Sequence, residues 1–299
     1  MRRAAAAGVA DARELTGLNV TTKRVGVIGF PVEHSLSPIM HNAAFAALGM
    51  SDWYYDAMSI PPDILRLGLR EPKNHGYVGI NVTVPHKEAI MEYVRPDEVA
   101  RAIGAVNTVD FRNNLGTNTD AAGLIADLRA NDVPIRGQRV LVLGAGGAAR
   151  AAVYGLLRAG ASVAVVNRTK SRADKLVAQL RASARLTGAA VMTLDQAADW
   201  GMTLIVNCTS VGLHPHIQQS PWIHGLPFPE GVTVYDMVYR PANTALMQQC
   251  VAHGGRAIGG LGMLARQGAI AFELWTGVVP PVEVMIGALQ TALETANED

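Results

Sequence analysis

The chain has 299 residues, enough for two domains that each bury a core of their own. Its 26 lysines and arginines nearly balance its 25 aspartates and glutamates, which argues against the basic surface of proteins that bind nucleic acid or anionic membranes. With only two cysteines and no apolar run of about 20 residues, the composition excludes a disulfide scaffold and a membrane span, and favours a cytoplasmic protein with a small-molecule partner.

The first half of the chain alternates apolar, β-rich runs with segments of helical period. Residues 1–16 come before this pattern and are predicted to be a frayed tail, because charges interrupt their alanine-rich start. The alternation is typical of parallel sheets covered by helices, so the predicted fold class is α/β. Strands are predicted at 24–28, 53–58, 77–84 and, as a short pair, within 104–118; helices are predicted at 38–48, 62–69, 86–93 and 121–130.

A second unit is predicted after the polar segment 131–137, which contains a proline and a glycine. From there strands and helices alternate in the manner of a doubly wound nucleotide-binding fold. The predicted elements are strands 139–143, 162–167 and 204–207, with helices ending at 158 and spanning 171–182.

The end of the chain is predicted to be two helices, 262–276 and 282–296, with no strand after them. We expect them to fold back onto the first unit. The prediction is therefore an open, mainly parallel α/β substrate domain of residues 17–130, completed by 262–299, and a Rossmann-like nucleotide-binding domain of residues 131–261.

A glycine-rich loop joins the predicted strand 139–143 to the helix that follows, and has the G-x-G-x-x-A form of a dinucleotide fingerprint. The first glycine permits a tight turn, the second lets the backbone approach a pyrophosphate, and the small third residue lets helix and strand pack closely. Such a match is sometimes a mere tight turn, but its strand-to-helix setting favours binding. The predicted cofactor-binding residues are Gly144, Ala145, Gly146, Gly147 and Ala148.

The end of the next predicted strand carries Asn167, Arg168, Thr169 and Arg172, where an NAD enzyme usually places a carboxylate. A guanidinium there suits bidentate contact with a ribose 2′-phosphate and therefore predicts NADP. The alternative is a set of solvated charges at a helix end. Cations at a helix N-terminus oppose its dipole, however, which favours a bound anion.

Ser35 and Ser37 precede a predicted helix with Pro38 at its first position. Their hydroxyls, together with the N–H groups of the helix end, can bind a carboxylate. Simple capping of the helix by Ser37 explains the pattern equally well. The two interpretations are even on this evidence.

Lys87 follows the predicted strand 77–84 and falls on the first turn of a predicted helix, where its charge opposes the dipole. Asp120 stands at the start of another predicted helix, where an aspartate is often only a cap. Together they offer a proton donor and a carboxylate that orients it and favours its charged form. The alternative for Lys87 is a surface ion pair.

At these motifs the chain resembles the shikimate dehydrogenase family. The resemblance implies a soluble enzyme that reversibly reduces 3-dehydroshikimate to shikimate with NADPH, in the biosynthesis of aromatic amino acids, as a monomer or homodimer. It runs from about residue 22 to residue 277 through HSLSP, NVTVPHK, GAVNT, NTD, GAGGAAR, NRTKSR, NCTSVG and GMLARQ.

The resemblance also implies roles for individual residues. Ser35, Ser37 and Tyr239 would bind the substrate carboxylate. The residues expected around the ring hydroxyls are Thr83, Lys87, Asn107, Asp120 and Gln267. The residues added to the NADP site are Met237, Gly260 and Glu98, and no metal is expected.

Two other functions are considered, and particular residues of the sequence argue against each of them. A quinate/shikimate dehydrogenase shares most of the motifs but commonly uses NAD, and Arg168 argues against it. A non-catalytic nucleotide-binding regulator would keep the fold without the chemistry, since fold alone does not establish function. Lys87 and Asp120 argue against that reading. The departures from the family pattern, such as Val84 in place of a frequent isoleucine, leave the predicted site intact.

Overall fold

The computed structural model describes residues 22–223 and 225–298, so the predicted tail of residues 1–16 lies outside the described part. Its core is two six-stranded sheets with helices packed on them, which confirms the predicted α/β class. Within the described ranges, none of the helices combines the length and the apolar character that crossing a membrane requires.

The first sheet has its strands in the order β2-β1-β3-β5-β6-β4. Its strands are β1 (Lys23–Gly29), β2 (Trp53–Ser59), β3 (Tyr77–Val82), β4 (Arg95–Pro96), β5 (Thr108–Asp110) and β6 (Leu115–Thr117). β1 is parallel to β2 and β3, whereas β5 is antiparallel to β3 and to β6. Because two reversals restore the direction, the carboxyl ends of β1, β3 and β6 lie at the same edge of the sheet.

Five helices accompany this sheet in the described part of the chain; the first and the last agree with predicted helices, whereas the third and fourth have no predicted counterpart. They are α1 (Ser37–Ala47), α2 (Leu65–Gly68), α3 (Arg70–Asn74), α4 (Glu98–Ile103) and α5 (Asp120–Ala130). The single helix predicted at 62–69 is instead a 3₁₀ turn, Pro62–Ile64, followed by α2. α4 was not predicted, although Asp97 caps it by accepting a hydrogen bond from the Ala100 N–H at 2.7 Å.

The helix predicted at 86–93 is wrong, and Lys87 does not stand on an α-helix. Only a 3₁₀ helix, Ala89–Glu92, forms there. The Lys87 carbonyl accepts a hydrogen bond from the Val106 N–H at 2.8 Å, which ties this segment to the chain before β5. The dipole argument for Lys87 therefore fails, and its role has to be judged from its contacts.

The second sheet is wholly parallel, in the order β12-β11-β10-β7-β8-β9. Its strands are β7 (Arg139–Leu143), β8 (Ser162–Val166), β9 (Ala189–Val191), β10 (Leu204–Asn207), β11 (Thr233–Asp236) and β12 (Arg256–Gly259). Its helices are α6 (Gly147–Arg158), α7 (Lys170–Ser183), α8 (Leu194–Ala198) and α9 (Ala245–Ala252). This is the doubly wound order, in which the chain reverses its direction of travel at β7 and β10, the usual place for a nucleotide.

Two long helices, α10 (Leu261–Thr276) and α11 (Val282–Glu298), end the described chain; α10 packs against β3 and β5 of the first sheet, and α11 packs against α1 and α10. Met285, Leu289 and Phe272 from these helices share a buried core with Met40 of α1 and Val25 of β1. Burial of this apolar surface holds α10 beside α5, where it reaches the carboxyl edge of the first sheet.

His41 lies within this core as a fully buried imidazole. Its ring stacks on Tyr55 with centroids 4.2 Å apart, and neither ring nitrogen has a hydrogen-bond partner among the described residues. Burial lowers the pKa of His41 to about 3. The folded protein therefore holds this imidazole neutral, whereas the unfolded chain protonates it near its ordinary pKa of 6.5.

This difference predicts a loss of stability in acid that depends on His41. As the pH falls from about 6.5 towards 3, the imidazole is protonated in the unfolded state but stays neutral in the folded state. The free energy of unfolding therefore decreases over this range. We expect protonation of His41 in the unfolded state to lower the free energy of unfolding by about 2 kcal/mol between pH 7 and pH 5. Urea unfolding of His41→Phe, which keeps the stacked ring, should lack that part of the pH dependence. An exposed imidazole, in His216→Phe, serves as the control, and equal pH dependence in wild type and His41→Phe would contradict the prediction.

Candidate active site

A cavity of about 170 Å³ lies at the carboxyl edge of the first sheet. Loops that leave β1 and β3 form one wall, and α5 and α10 contribute to another. All eight predicted substrate-binding residues meet here, although they come from segments far apart in the chain. The lining residues are Val27, Ser35, Ser37, Asn81, Val82, Thr83, Lys87, Asn107, Asp120, Met237, Tyr239, Gly260, Met263, Leu264 and Gln267.

The predicted pair of Lys87 and Asp120 is formed. Lys87 Nζ lies 2.7 Å from Asp120 Oδ2, and the two side chains are 15% and 5% exposed. Such burial is not that of a surface ion pair, so that alternative for Lys87 is wrong. The capping alternative for Asp120 is also wrong, because the helix-capping residue is Thr119 and the Asp120 carboxylate accepts from Lys87 and Asn107 instead.

Asn107 joins this pair to a buried polar network. Its Nδ2 group donates to Asp120 Oδ1 at 2.8 Å and to Thr119 Oγ1 at 2.9 Å, and it approaches Gln267 Oε1 at 3.3 Å. Its own Oδ1 accepts from the Thr119 N–H at 2.8 Å. These bonds hold the Asp120 carboxylate in one orientation, facing the Lys87 ammonium group.

Asn81 is a lining residue that sequence reasoning missed. Its Oδ1 accepts from the Tyr55 hydroxyl at 2.8 Å, while its Nδ2 donates to Thr108 Oγ1 at 3.0 Å. The signal was present, because an asparagine inside the apolar strand β3 has to find partners when it is buried.

Ser35 and Ser37 lie at the N-terminus of α1, and both line the cavity together with Tyr239. α1 begins at Ser37 with no side-chain cap, so the capping alternative for Ser37 is wrong. The Ser37 N–H donates to Ser35 Oγ at 3.3 Å, and both serines line the cavity. Burial raises the pKa of Tyr239, so its phenol stays a hydrogen-bond donor. Three hydroxyls thus face one cavity that also contains the ammonium group of Lys87.

A separate cleft of about 340 Å³ lies at the carboxyl ends of β7, β8 and β10. Gly144 has a φ of +115°, which favours glycine, and a Cβ on it would lie 3.2 Å from the Cys208 carbonyl oxygen. The turn therefore needs a glycine for its conformation and for its close contact. The lining residues are Leu143, Gly144, Ala145, Gly146, Val166, Asn167, Arg168, Thr169, Arg172, Cys208, Thr209, Ser210, Val211 and Pro221.

Arg168 and Arg172 line this cleft as exposed cations. Neither forms an ion pair with a carboxylate in the described part of the chain, whereas Lys170 beside them is paired with Asp174 at 2.9 Å. The two guanidinium groups are thus available to an anion in the cleft.

Lys87 lines the cavity and also packs against the start of α6, beside the glycine loop. A Cβ placed on Gly147, the first residue of α6, would lie 3.0 Å from Lys87 Cβ and 3.2 Å from Lys87 Cδ. The lysine side chain therefore runs directly against the end of the glycine loop. A proton donor at the cavity stands next to the place where a dinucleotide would enter.

Several predicted cofactor residues lie elsewhere. Met237 and Gly260 line the 170 Å³ cavity and not the cleft, and Gly147 and Ala148 are absent from the cleft lining. Glu98 is exposed on the first turn of α4 and lines neither space. Conversely, the loop after β10 lines the cleft, although its motif NCTSVG was noted only as part of the family resemblance and none of its residues was predicted to bind the cofactor. Among the residues described, no cluster of histidine, cysteine and acidic side chains could hold a metal ion.

Three family models match this chain along its length. They are a shikimate dehydrogenase substrate binding domain over residues 27–109, a shikimate/quinate 5-dehydrogenase model over 127–209 and a shikimate 5'-dehydrogenase C-terminal domain over 260–290. A relative in Methanocella arvoryzae named shikimate dehydrogenase (NADP(+)) is 44% identical over 268 residues, which cover 90% of this chain and 98% of the relative.

Two solved structures that resemble this chain are also shikimate dehydrogenases. A shikimate 5-dehydrogenase from Thermus thermophilus, in complex with NADP(H) and shikimate, superposes with a TM-score of 0.82 at 40% identity, covering 91% of this chain and 100% of that one. A further shikimate dehydrogenase in complex with NADP+ has a TM-score of 0.86 at 37% identity, covering 92% of this chain and 97% of its own.

Proposed function

The chain belongs to the shikimate dehydrogenase family, and we propose on that basis that it reversibly reduces 3-dehydroshikimate to shikimate with NADPH, as a step of aromatic amino-acid biosynthesis. The observation that carries this proposal is the buried pair of Lys87 and Asp120 at a cavity next to the dinucleotide cleft. A regulator that only bound nucleotide would have no need of such a pair. The free guanidinium of Arg168 favours NADP over the NAD of the quinate-type rival.

The substrate-binding roles follow from the cavity. Ser35, Ser37 and Tyr239 bind the carboxylate of the substrate, because their hydroxyls face one space as neutral donors. The polar network on the other side receives the ring hydroxyls, each of which needs a partner once water is excluded. Its residues are Thr83, Lys87, Asn107, Asp120 and Gln267.

The proton chemistry is assigned to Lys87. Its ammonium group holds the proton that the ketone oxygen receives as that oxygen gains negative charge. Asp120 orients the ammonium group through the 2.7 Å contact, and Asn107 keeps the carboxylate from turning away. In the reverse direction the neutral amine takes the proton of the substrate hydroxyl. Lys87 packs against Gly147 at the start of α6, which supports a position of the proton donor close to the glycine loop and to the expected source of the hydride.

The cleft fits NADP. Backbone N–H groups after Gly144 can approach a pyrophosphate, and Arg168 and Arg172 offer unpaired cations for the 2′-phosphate. NADPH, when bound, supplies the hydride. The loop residues Gly144, Ala145 and Gly146 and the segment 167–172 would hold it.

The protein is proposed to have two domains. Residues 17–130 and 262–299 form the substrate domain and residues 131–261 the nucleotide-binding domain, a division supported by the packing of α10 and α11 on the first sheet. We place the enzyme in the cytoplasm as a monomer or homodimer with small-molecule partners only. Light scattering of the purified protein would distinguish the two oligomeric states.

A direct assay tests the proposed function. The purified protein should consume NADPH, seen as a loss of nicotinamide absorbance, when 3-dehydroshikimate is added. The same protein should be far less active with 3-dehydroquinate and NADH, the pair expected of the quinate-type rival. A protein that binds NADPH without turning over any ketone would be the regulator instead.

Neutralising Arg168 should change the cofactor preference. Charge-assisted contacts contribute about 1.5–3 kcal/mol, so Arg168→Gln should lower the NADPH/NADH preference in kcat/KM by roughly tenfold or more. The reason is that only NADPH carries the 2′-phosphate. Arg66→Gln is a suitable control, since Arg66 lies on α2 and lines neither the cavity nor the cleft. Equal losses with both cofactors would mean that Arg168 has a structural role.

A further inference from the structure

Asp236, at the end of β11, is a fully buried carboxylate outside the chemistry assigned above. Three donors converge on it. Its Oδ1 accepts from Asn207 Nδ2 at 2.9 Å and from the Val238 N–H at 3.0 Å, while its Oδ2 accepts from the Thr244 hydroxyl at 2.7 Å. A carboxylate is the side chain that can accept all three bonds at once.

Asn207 extends this arrangement into the neighbouring strand. It pairs with Asp236 across the β10–β11 ladder and is also fully buried. Its Oδ1 accepts from both the N–H and the hydroxyl of Thr209, at 3.0 Å and 2.7 Å, and Thr209 Oγ1 accepts from the Val211 N–H at 3.2 Å. One continuous set of hydrogen bonds therefore reaches from Asp236 into the loop after β10.

The two loops joined in this way lead to different parts of the active site. The loop after β10 lines the dinucleotide cleft with Cys208, Thr209 and Val211. The loop after β11 lines the substrate cavity with Met237 and Tyr239. Asp236 is thus hydrogen-bonded to Asn207, where the first loop begins, and to the backbone of Val238 in the second loop.

Burial of the Asp236 carboxylate is unfavourable for the stability of the folded protein. No lysine or arginine forms an ion pair with it within residues 22–223 and 225–298, so its charge is buried against neutral donors only. A buried carboxylate without a counter-ion costs more than an amide or an apolar side chain would. Its presence is better explained by the two loops that it orients than by the stability of the strand.

We propose that Asp236 is a positioning residue that holds the loop after β10 and the loop after β11 in one relative arrangement, so that cofactor and substrate are aligned for hydride transfer. The proposal rests on the proposed function. It assigns to Asp236 no contact with substrate or cofactor, because it acts through Asn207, Thr209 and the backbone of Val238. Misalignment of about 1 Å between reacting groups costs roughly 10²-fold in rate, which sets the expected size of the effect.

Two variants and one control test this assignment. Asp236→Ala removes all three acceptor contacts and should lower kcat by about 10²-fold, whereas Asp236→Asn keeps the shape and one oxygen and should lower it by about tenfold. Titration of the resting protein should show weaker binding of both NADPH and shikimate, by roughly threefold or more, because both loops shift. Asp110→Asn alters a buried carboxylate of β5 that lines neither space, and should leave kcat within about twofold of wild type.

Failure of the proposed function and failure of the positioning role give different results in these experiments. Wild-type protein that fails to reduce 3-dehydroshikimate contradicts the proposed function in the same assay. With active wild type, a graded loss of kcat in folded Asp236→Asn and Asp236→Ala, together with weaker binding of both ligands, supports the positioning role. If Asp236→Ala does not fold, Asp236→Asn decides alone. Retention of kcat within about twofold, with only a lowered melting temperature, overturns the proposal, as does a loss that merely follows the unfolded fraction.

Discussion

Replacing Lys87 with alanine is expected to lower kcat by about 10²-fold or more, with a smaller change in KM. Among the described residues that line the cavity, Lys87 is the one lysine or arginine, and loss of its ammonium group leaves the developing alkoxide without a general acid. The carboxylate-binding hydroxyls and the dinucleotide cleft remain in place, so binding of both ligands should persist. Steady-state kinetics in the direction of shikimate formation, with binding of NADPH measured by fluorescence, would separate the two effects.

A matched lysine variant guards against a general effect of the substitution. Lys23→Ala removes an exposed lysine that is paired with Asp52 and lines neither the cavity nor the cleft, so it should behave like wild type. Near-normal kcat in Lys87→Ala would show that another group, or water, supplies the proton. The role of Asp120 as the residue that orients the donor would then fall as well.

Replacing Ser35 with alanine should raise the KM for shikimate by about tenfold or more and leave NADPH affinity nearly unchanged. One charge-assisted hydrogen bond of about 1.5–3 kcal/mol is lost, and it is lost only from the substrate side. Ser35 faces the cavity beside Ser37, whose N–H it accepts, so its hydroxyl proton is available to a carboxylate. Kinetics with shikimate and NADP+ as varied substrates would measure both quantities.

A substrate analogue tests the same carboxylate site without a mutation. The ring alcohol that lacks the carboxylate should be a very poor substrate even at high concentration, because it leaves the three hydroxyl donors of the cavity without the anion that they recognise. Ser51→Ala, at an exposed turn, is the matched serine control. Equal turnover of the acid and of this analogue would show that Ser35, Ser37 and Tyr239 do not recognise the carboxylate.

The dinucleotide cleft was predictable because its determinants are local. A strand, a glycine loop and a helix follow one another within a short segment, and the cations of residues 167–172 end the next parallel strand. Parallel strands bring their carboxyl ends to one edge, so sequence order alone implies that these groups meet. The same reasoning brought Lys87 and Asp120 together, since both follow strands of the first sheet.

Residues placed by tertiary contacts were less predictable. Helical period predicted an α-helix around Lys87, but the segment forms only a 3₁₀ helix and its Lys87 carbonyl accepts a long-range hydrogen bond from the Val106 N–H. Gln267 approaches Asn107 across 160 positions of sequence, a contact that depends on how α10 docks, and only the family resemblance indicated it. Asn81 and Asp236 are polar residues at the ends of apolar strands. Attention to the partners that such buried groups require would have identified both.

Transfer of deuterium from NADPH to the product tests the central claim most directly. The protein is incubated with 3-dehydroshikimate and with NADPH stereospecifically deuterated at the transferring position, and the product is analysed by mass spectrometry. If the cavity and the cleft work together as described, the product is shikimate with one deuterium on the carbon that carried the ketone, since the hydride passes directly from cofactor to substrate. Absence of shikimate, or shikimate without deuterium, would contradict the account.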